Sequence, residues 1–189
     1  MRSFPLPVRI ALLTGMSVVA GLAAIAPAQA DVVATSPSGF SLSIVTDITA
    51  PPEKVYEALV KPERWWSSDH TFSGKAGNLT LDATAGGCFC EALPDGGTVK
   101  HQEVVMAAPG KQLVMRGALG PFQATGTIDA FSFRLDPDGA KTRLTVTFTA
   151  GGYVAEGFDD WAKKTDSVVA TQVTRLKQYI ETGSPEGKT

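Results

Sequence analysis

The stretch GGCFCEALPDGGTVKHQEV, residues 86 to 104, brings two thiols, an imidazole and several carboxyl groups into one short segment. Its centre, Pro94-Asp95-Gly96-Gly97, is a strong hairpin signal, because Asp-Gly supplies the positive backbone angles that a tight turn requires. With Asp95-Gly96 as a two-residue turn, Cys90 faces His101, Cys88 faces Glu103, and Glu91 faces Lys100. Opposed residues share a face of the hairpin, with Cβ atoms about 5 Å apart. The pairing of Glu91 with Lys100, beside Phe89 and Gln102, marks that face as the wet one. It turns Cys88, Cys90, Ala92, Val99, His101, Glu103 and Val105 toward the interior. Two thiolates, an imidazole and a carboxylate on one patch form the ligand set of a zinc site. The same cluster could serve a metal- or thiol-dependent hydrolase or cyclase centred on Cys88, Cys90 and His101, with Glu103 as fourth ligand or general base. Two other readings stand beside this one: cysteines as small buried residues, and a Cys88 to Cys90 disulfide across a span of about 6.6 Å in an extended strand. A one-residue change in the turn would alter the pairing.

Elsewhere the chain carries no G-x-S-x-G elbow, H-E-x-x-H, phosphate loop or G-x-G-x-x-G motif, so the common hydrolase, zincin and nucleotide mechanisms lose their signatures. His70 and Asp69 fall in the polar loop SSDHT, either solvated or brought over a cavity mouth. Trp65 and Trp66 read as an anchor for that loop that could also line an entrance, and Trp161 and Tyr153 as core or cavity wall.

These residues need a compartment. Arg2 and Arg9 precede the apolar run from Ile10 to Ala26, and Pro27-Ala28-Gln29-Ala30 follows with an Ala-x-Ala site before Asp31. The expectation is a secretory signal over residues 1–30, cleaved ahead of Asp31, which places the mature chain in an oxidising space such as a bacterial periplasm. An uncleaved membrane anchor is the competing reading, since no charge falls between Arg9 and Asp31. Loss of the two arginines takes the 17 basic residues of the 189-residue chain to 15 against 19 acidic ones, a net charge of −4. Nucleic acid and anionic membrane surfaces are therefore poor partners for the mature chain. A hydrophobic content of 43% without low-complexity tracts points to one folded domain that needs no metal or disulfide merely to stay folded.

The elements that position the hairpin follow from periodicity. After a flexible lead-in over 31–39, Phe40, Leu42, Ile44 and Ile48 alternate with polar residues as a half-buried strand. Pro51-Pro52-Glu53 opens a short helix, and Pro62 starts a second helical turn that ends at Trp65-Trp66. Strands are expected over 78–84, 88–93, 98–106, 112–118, 123–135 and 142–149. After Gly151-Gly152 the period becomes helical, and Phe158, Trp161, Thr165, Val168, Gln172, Val173, Leu176 and Ile180 trace one side of a helix over about 156–181. Residues 183–189 are expected to form a disordered tail. The class is α+β: a curved seven-stranded antiparallel sheet wrapped around one long C-terminal helix, with two short helices after the first strand.

The order of strand, PPEKVYEALVKPERWW, GGCFCEALPDGG, hairpins and long terminal helix resembles the START-like (SRPBCC) superfamily with its helix-grip fold over about residues 40–182. The resemblance is to the branch with polyketide cyclase-like proteins and homologues of a heat-shock chaperone ATPase activator. Cys88 and Cys90 depart from the commoner pattern of that branch. The resemblance implies an interior cavity for a small apolar molecule and does not fix a reaction. Chaperone activation does not suit an exported chain, because that partner and its ATP are cytosolic. The expected lining is Trp65, Trp66, Cys88, Cys90, His101, Glu103, Val105, Trp161, Val168 and Leu176, with zinc as the one conceivable cofactor. The expected function is that of a periplasmic carrier or sensor.

Overall fold

The computed structural model describes Met1 and residues 31–187. The expected signal segment lies outside the described residues. Eight antiparallel strands form one sheet in the order β1-β2-β8-β7-β6-β5-β4-β3. They are β1 (Asp31–Ser36), β2 (Gly39–Ile48), β3 (Leu79–Leu81), β4 (Cys88–Ala92), β5 (Thr98–Ala108), β6 (Gln112–Gly117), β7 (Gly126–Asp138) and β8 (Lys141–Tyr153). Two α-helices, α1 (Pro52–Leu59) and α2 (Asp159–Thr182), complete the α+β architecture.

The eighth strand is the segment expected as a flexible lead-in. DVVATS pairs antiparallel with β2, from Asp31 opposite Ser43 to Ser36 opposite Gly39. Its residues lack a clean alternation because an edge strand has only one neighbour to satisfy, so periodicity does not announce it. The tail also departs from expectation as far as residue 187. Gly183 ends α2 in the left-handed conformation that glycine adopts freely, with φ 82°, and Glu186 turns back to hold Arg175 through two contacts of 2.8 Å.

The strongest pairing is β7 with β8, an unbroken ladder from Gly126 opposite Tyr153 to Asp138 opposite Lys141. Thr127, Asp129, Phe131, Phe133 and Leu135 alternate inward on β7, as do Thr142, Leu144, Val146, Phe148 and Ala150 on β8. From β2, Phe40, Leu42 and Ile44 join the same face, and β2 pairs with β8 from the far end of the chain. Pro52 opens α1 at a position where a missing N–H costs nothing, Glu53 complements the positive helix end, and Val55, Tyr56 and Leu59 are buried. The buried stripe of α2, Ala162, Val169, Gln172, Val173 and Leu176, packs into the core with the inner face of the sheet. Among the described residues no helix is long and apolar enough to cross a membrane.

Candidate functional site

The hairpin of β4 and β5 turns where the sequence says it should, with Asp95 at φ 61° and Gly96 at φ 81°. It uses one residue more than a two-residue turn would: the Leu93 N–H donates to the Gly97 carbonyl at 2.8 Å, and the ladder begins with Ala92 opposite Thr98. Cys90 therefore faces Lys100 and Glu91 faces Val99. A β-bulge at His101 then absorbs the difference, and beyond it Phe89 faces Gln102 and Cys88 faces Glu103. Gly117 on β6 makes room for that bulge, since a Cβ there would come to 2.5 Å from the His101 carbonyl oxygen and 2.8 Å from the Gln102 Cα.

The expected assignment of faces is reversed on β4, and the bulge brings His101 to the same side as Glu91. Phe89, Glu91, His101 and Gln102 are the inward set, all buried, while Cys88 and Cys90 lie on the outer face. The two cysteines are joined as a disulfide, with Cα atoms 5.4 Å apart, closer than the span of a fully extended strand. Glu103 is half exposed on the same outer side and pairs with Lys100 at 2.6 Å. The expected zinc ligands Cys88, Cys90, His101 and Glu103 are thus divided between two faces of the sheet, and the two sulfurs are already bonded to each other. Among the described residues no group of three or more His, Cys, Asp or Glu side chains could hold a metal. The enzyme centred on Cys88, Cys90 and His101 loses its geometry for the same reason. Val105 does not point inward either: it is the extra residue of a second bulge, between Val104 opposite Met115 and Met106 opposite Val114, and it is exposed.

The inner face holds a chain of buried polar groups in place of a metal. The Glu91 carboxylate, 1% exposed, accepts the backbone N–H of Ser73 at 2.5 Å and of Phe72 at 3.1 Å, and lies 2.9 Å from His101 Nε2. Burial pushes its pKa up, but hydrogen bonds from Ser73, His101 and Phe72 outweigh that cost and hold the carboxyl below the usual range. Next along β5, Gln102 donates through Nε2 to Asp129 at 2.6 Å, and Asp129 also accepts the Leu119 N–H at 2.6 Å. Here burial wins: it raises the Asp129 pKa against the opposing bonds from Leu119 and Gln102. The two carboxylates do separate work, Glu91 holding the 72–73 segment to the sheet and Asp129 holding the 119 segment.

Between those two segments and α2 lies a cavity of about 290 Å³. Trp66, Phe72, Phe89, Phe122, Phe148 and Trp161 supply its aromatic wall, with Leu79, Leu119, Val168 and Val169 beside them. Asp69, His70, Thr71, Lys164 and Thr165 add polar groups, and His101 presents its ring. Phe72 stacks parallel to the imidazole at 5.8 Å between centroids and 4° between planes, and Phe89 approaches it at 5.3 Å. The loop that carries Asp69 and Phe72 is tied down by α2. Gln172 accepts the Ser67 N–H at 2.8 Å and meets His70 Nδ1 at 2.6 Å, while Arg175 donates to the Trp65 carbonyl at 2.9 Å.

Of the lining expected from sequence, Trp66, His101, Trp161 and Val168 border the cavity. Trp65 is buried behind it, its indole N–H donating to the Ala58 carbonyl at 3.0 Å, and Leu176 is wholly buried in the core. Phe72, Phe122 and Asp129 are absent from the expected set, and Phe89 and Glu91 were expected on the wet face. The available signal was the parity of Phe89 with Glu91: a phenylalanine marks the buried face of a strand better than a cysteine does, and the carboxylate then has to follow it inside.

A family model, Activator of Hsp90 ATPase homolog 1-like protein, matches residues 49–181. The chain belongs to this family. With it comes the START-like (SRPBCC) superfamily expected from the sequence, and solved structures share the fold. A conserved protein of unknown function from Enterococcus faecalis superposes with a TM-score of 0.56 at 17% identity, covering 82% of this chain and 80% of its own. A Rhizobium leguminosarum protein gives 0.55 at 18% identity, covering 82% and 97%. CalU16 from Micromonospora echinospora gives 0.52 at 16% identity, covering 81% and 82%. At these identities the likeness concerns fold alone. No curated protein matches the chain.

Proposed function

We propose that this protein is an exported carrier or sensor that holds one small, mostly apolar molecule between the loop of residues 67–77, the sheet and the first turns of α2. The observation that carries this reading is the cavity itself. Its volume of about 290 Å³ stands at the lower end of the roughly 300–1,000 Å³ of small-molecule sites. Its wall is mostly apolar in surface, with six Phe and Trp rings among the lining, which suits a compact ring system rather than a long acyl chain. The family fold is compatible with such a role. Export to a periplasm rests on the leader-like residues 1–30, and the Cys88–Cys90 disulfide supports it, since such bonds persist in oxidising compartments.

The test uses naphthalene as a probe and the tryptophans as reporters. Its ring current should shift the indole NMR signals of Trp66 and Trp161, which border the cavity, and leave Trp65 unmoved. Val168→Glu, which puts a charge into the apolar wall, should abolish those shifts while the far-UV circular dichroism stays unchanged. Unaltered indole signals in the parent protein at saturating naphthalene would reject the cavity as a binding site. N-terminal sequencing of the exported protein should begin at Asp31, and recovery of Met1 would reject cleavage.

A further inference from the structure

The polar groups at the inner end of the cavity are closed to a ligand. The Glu91 and Asp129 carboxylates are already taken by backbone and side-chain donors, and the free Nδ1 of His101 is sealed from the cavity space although the ring borders it. A polar group on the ligand must therefore be met at the rim. There Asp69, His70 and Lys164 line the cavity and are exposed to solvent.

His70 is a donor already held in place. Gln172, 1% exposed, accepts the Ser67 N–H through Oε1 at 2.8 Å, so its amide nitrogen is the end that meets His70 Nδ1 at 2.6 Å. An amide nitrogen only donates; Nδ1 accepts, and the ring proton sits on Nε2. Nε2 has no partner among the described residues and stands on the side of the ring away from Gln172. The backbone is pinned as well, since the His70 carbonyl accepts the Trp66 indole N–H at 3.0 Å.

Lys164 supplies the charge. Its neighbour Lys163 pairs with Asp160 at 3.7 Å, but Lys164 has neither an ion pair nor a hydrogen bond among the described residues. Asp69 is the one acid of the lining, and no hydrogen bond fixes its side chain. A donor that is already ordered loses less freedom on binding than a free carboxylate does, so the rim favours an acceptor with negative charge. At the rim such a group keeps part of its water, which avoids the cost of burying a charge.

We propose that the ligand is a compact aromatic carboxylic acid, with its ring against the aromatic wall and its carboxylate at the rim, paired with the Lys164 ammonium and accepting the Nε2–H of His70. The proposal rests on the binding reading above and names the ligand class of that cavity.

The experiment compares naphthalene, 2-naphthoate and 2-naphthylmethylamine by titration calorimetry on the chain from Asp31 to Thr189, near pH 7, where the acid is ionised and the amine protonated. The parent protein should bind 2-naphthoate at least about fivefold more tightly than naphthalene, on the scale of charge-assisted bonds at a partly solvated site. The amine should bind more weakly than naphthalene. Lys164→Met keeps most of the stem and removes the charge; it should lose most of the 2-naphthoate preference while naphthalene still binds. His70→Phe keeps a ring, removes the donor and should lower the preference about twofold. Nitrogen-15 NMR of the parent gives a readout independent of any variant's folding. Nε2 should be the protonated nitrogen of His70, and its resonance should move with 2-naphthoate and much less with naphthalene. Binding of 2-naphthoate no tighter than that of naphthalene overturns the acid assignment and leaves the cavity reading standing. Tighter binding of the amine than of 2-naphthoate overturns it too and gives the rim to Asp69. A preference undiminished in Lys164→Met overturns the role of Lys164, and a proton on Nδ1 or an unmoved Nε2 resonance overturns that of His70. Failure of all three compounds to bind overturns the cavity reading and this inference together.

Discussion

Two regions of the inner sheet face are equally dry and held by different forces. On β2 and β8, Leu42, Ile44, Leu144 and Val146 are each at most 1% exposed, with Leu176 of α2 at 0%. On β4, β5 and β7, Glu91, His101, Gln102 and Asp129 are no more than 4% exposed, yet they are polar. Packing of the apolar half is non-directional, so any well-fitting side chains would do. Hydrogen bonds in the polar half have direction, and they fix the segments at residues 72–73 and 119 that border the cavity. Burial alone does not distinguish a core from a site; the direction of its bonds does.

Glu91→Ala should break this contrast most severely. It leaves two backbone N–H groups and the imidazole without their acceptor, a loss of about 3–5 kcal/mol by analogy with broken buried ion pairs, read from urea unfolding. Because the folded-state pKa of Glu91 lies below its ordinary value, its contribution is fully present above the usual glutamate range, roughly 4.3, and is lost as pH falls through the folded-state value. The difference between parent and variant should therefore narrow on acidification. A difference that widened would contradict the bonded, ionised carboxylate described here.

Leu176→Ala and Val168→Ala sharpen the comparison within one helix. The first empties a solid site and should cost about 2–5 kcal/mol, whereas the second enlarges a void already present and should cost about 1 kcal/mol or less. Equal losses would mean that the chamber beside Val168 is as tightly filled as the core around Leu176. The smallest effect on naphthalene binding should come from reducing Cys88–Cys90, whatever its cost in stability. The closed loop is so short that chain entropy accounts for only about 1–2 kcal/mol, and the bond lies on the outer face, away from the cavity. Naphthalene binding that changed on reduction would tie the outer face of β4 to the site.

Most of the architecture was legible in sequence because its signals are periodic. Alternation along Leu144, Val146 and Phe148, the positive-φ turn at Asp95-Gly96, and the helical spacing from Phe158 to Ile180 all survive in the structure. The site was not legible to the same degree. Strand β4, with CFCEA, alternates in either sense, and reading Glu91 as a surface partner of Lys100 followed the ordinary cost of burying a charge. That cost is met by Ser73 and Phe72, far enough along the chain that no local pattern reports them. His101, bulged out of the ladder, joins Gln102 on the inner face against strict alternation, and Gly117, the feature that permits it, stands on another strand. Asp129 and Gln102 gave no signal at all, because nothing in a strand pattern marks a polar residue whose partner comes from a neighbouring strand.

The pairing of β2 with β8 sets a timetable for the newly made chain. On the side away from β1, Phe40, Leu42 and Ile44 find their neighbours only at Ala150, Phe148 and Val146, so roughly a hundred residues must be synthesised first. At about 5–20 residues per second, the apolar edge of β2 waits on the order of 5–20 s for its partner. Closing so distant a pair also carries the entropy of a long loop, which slows the final step further. The sheet therefore cannot be completed while the chain is still emerging from the ribosome. On the export proposed above, that delay would keep the chain competent for passage through a translocation channel.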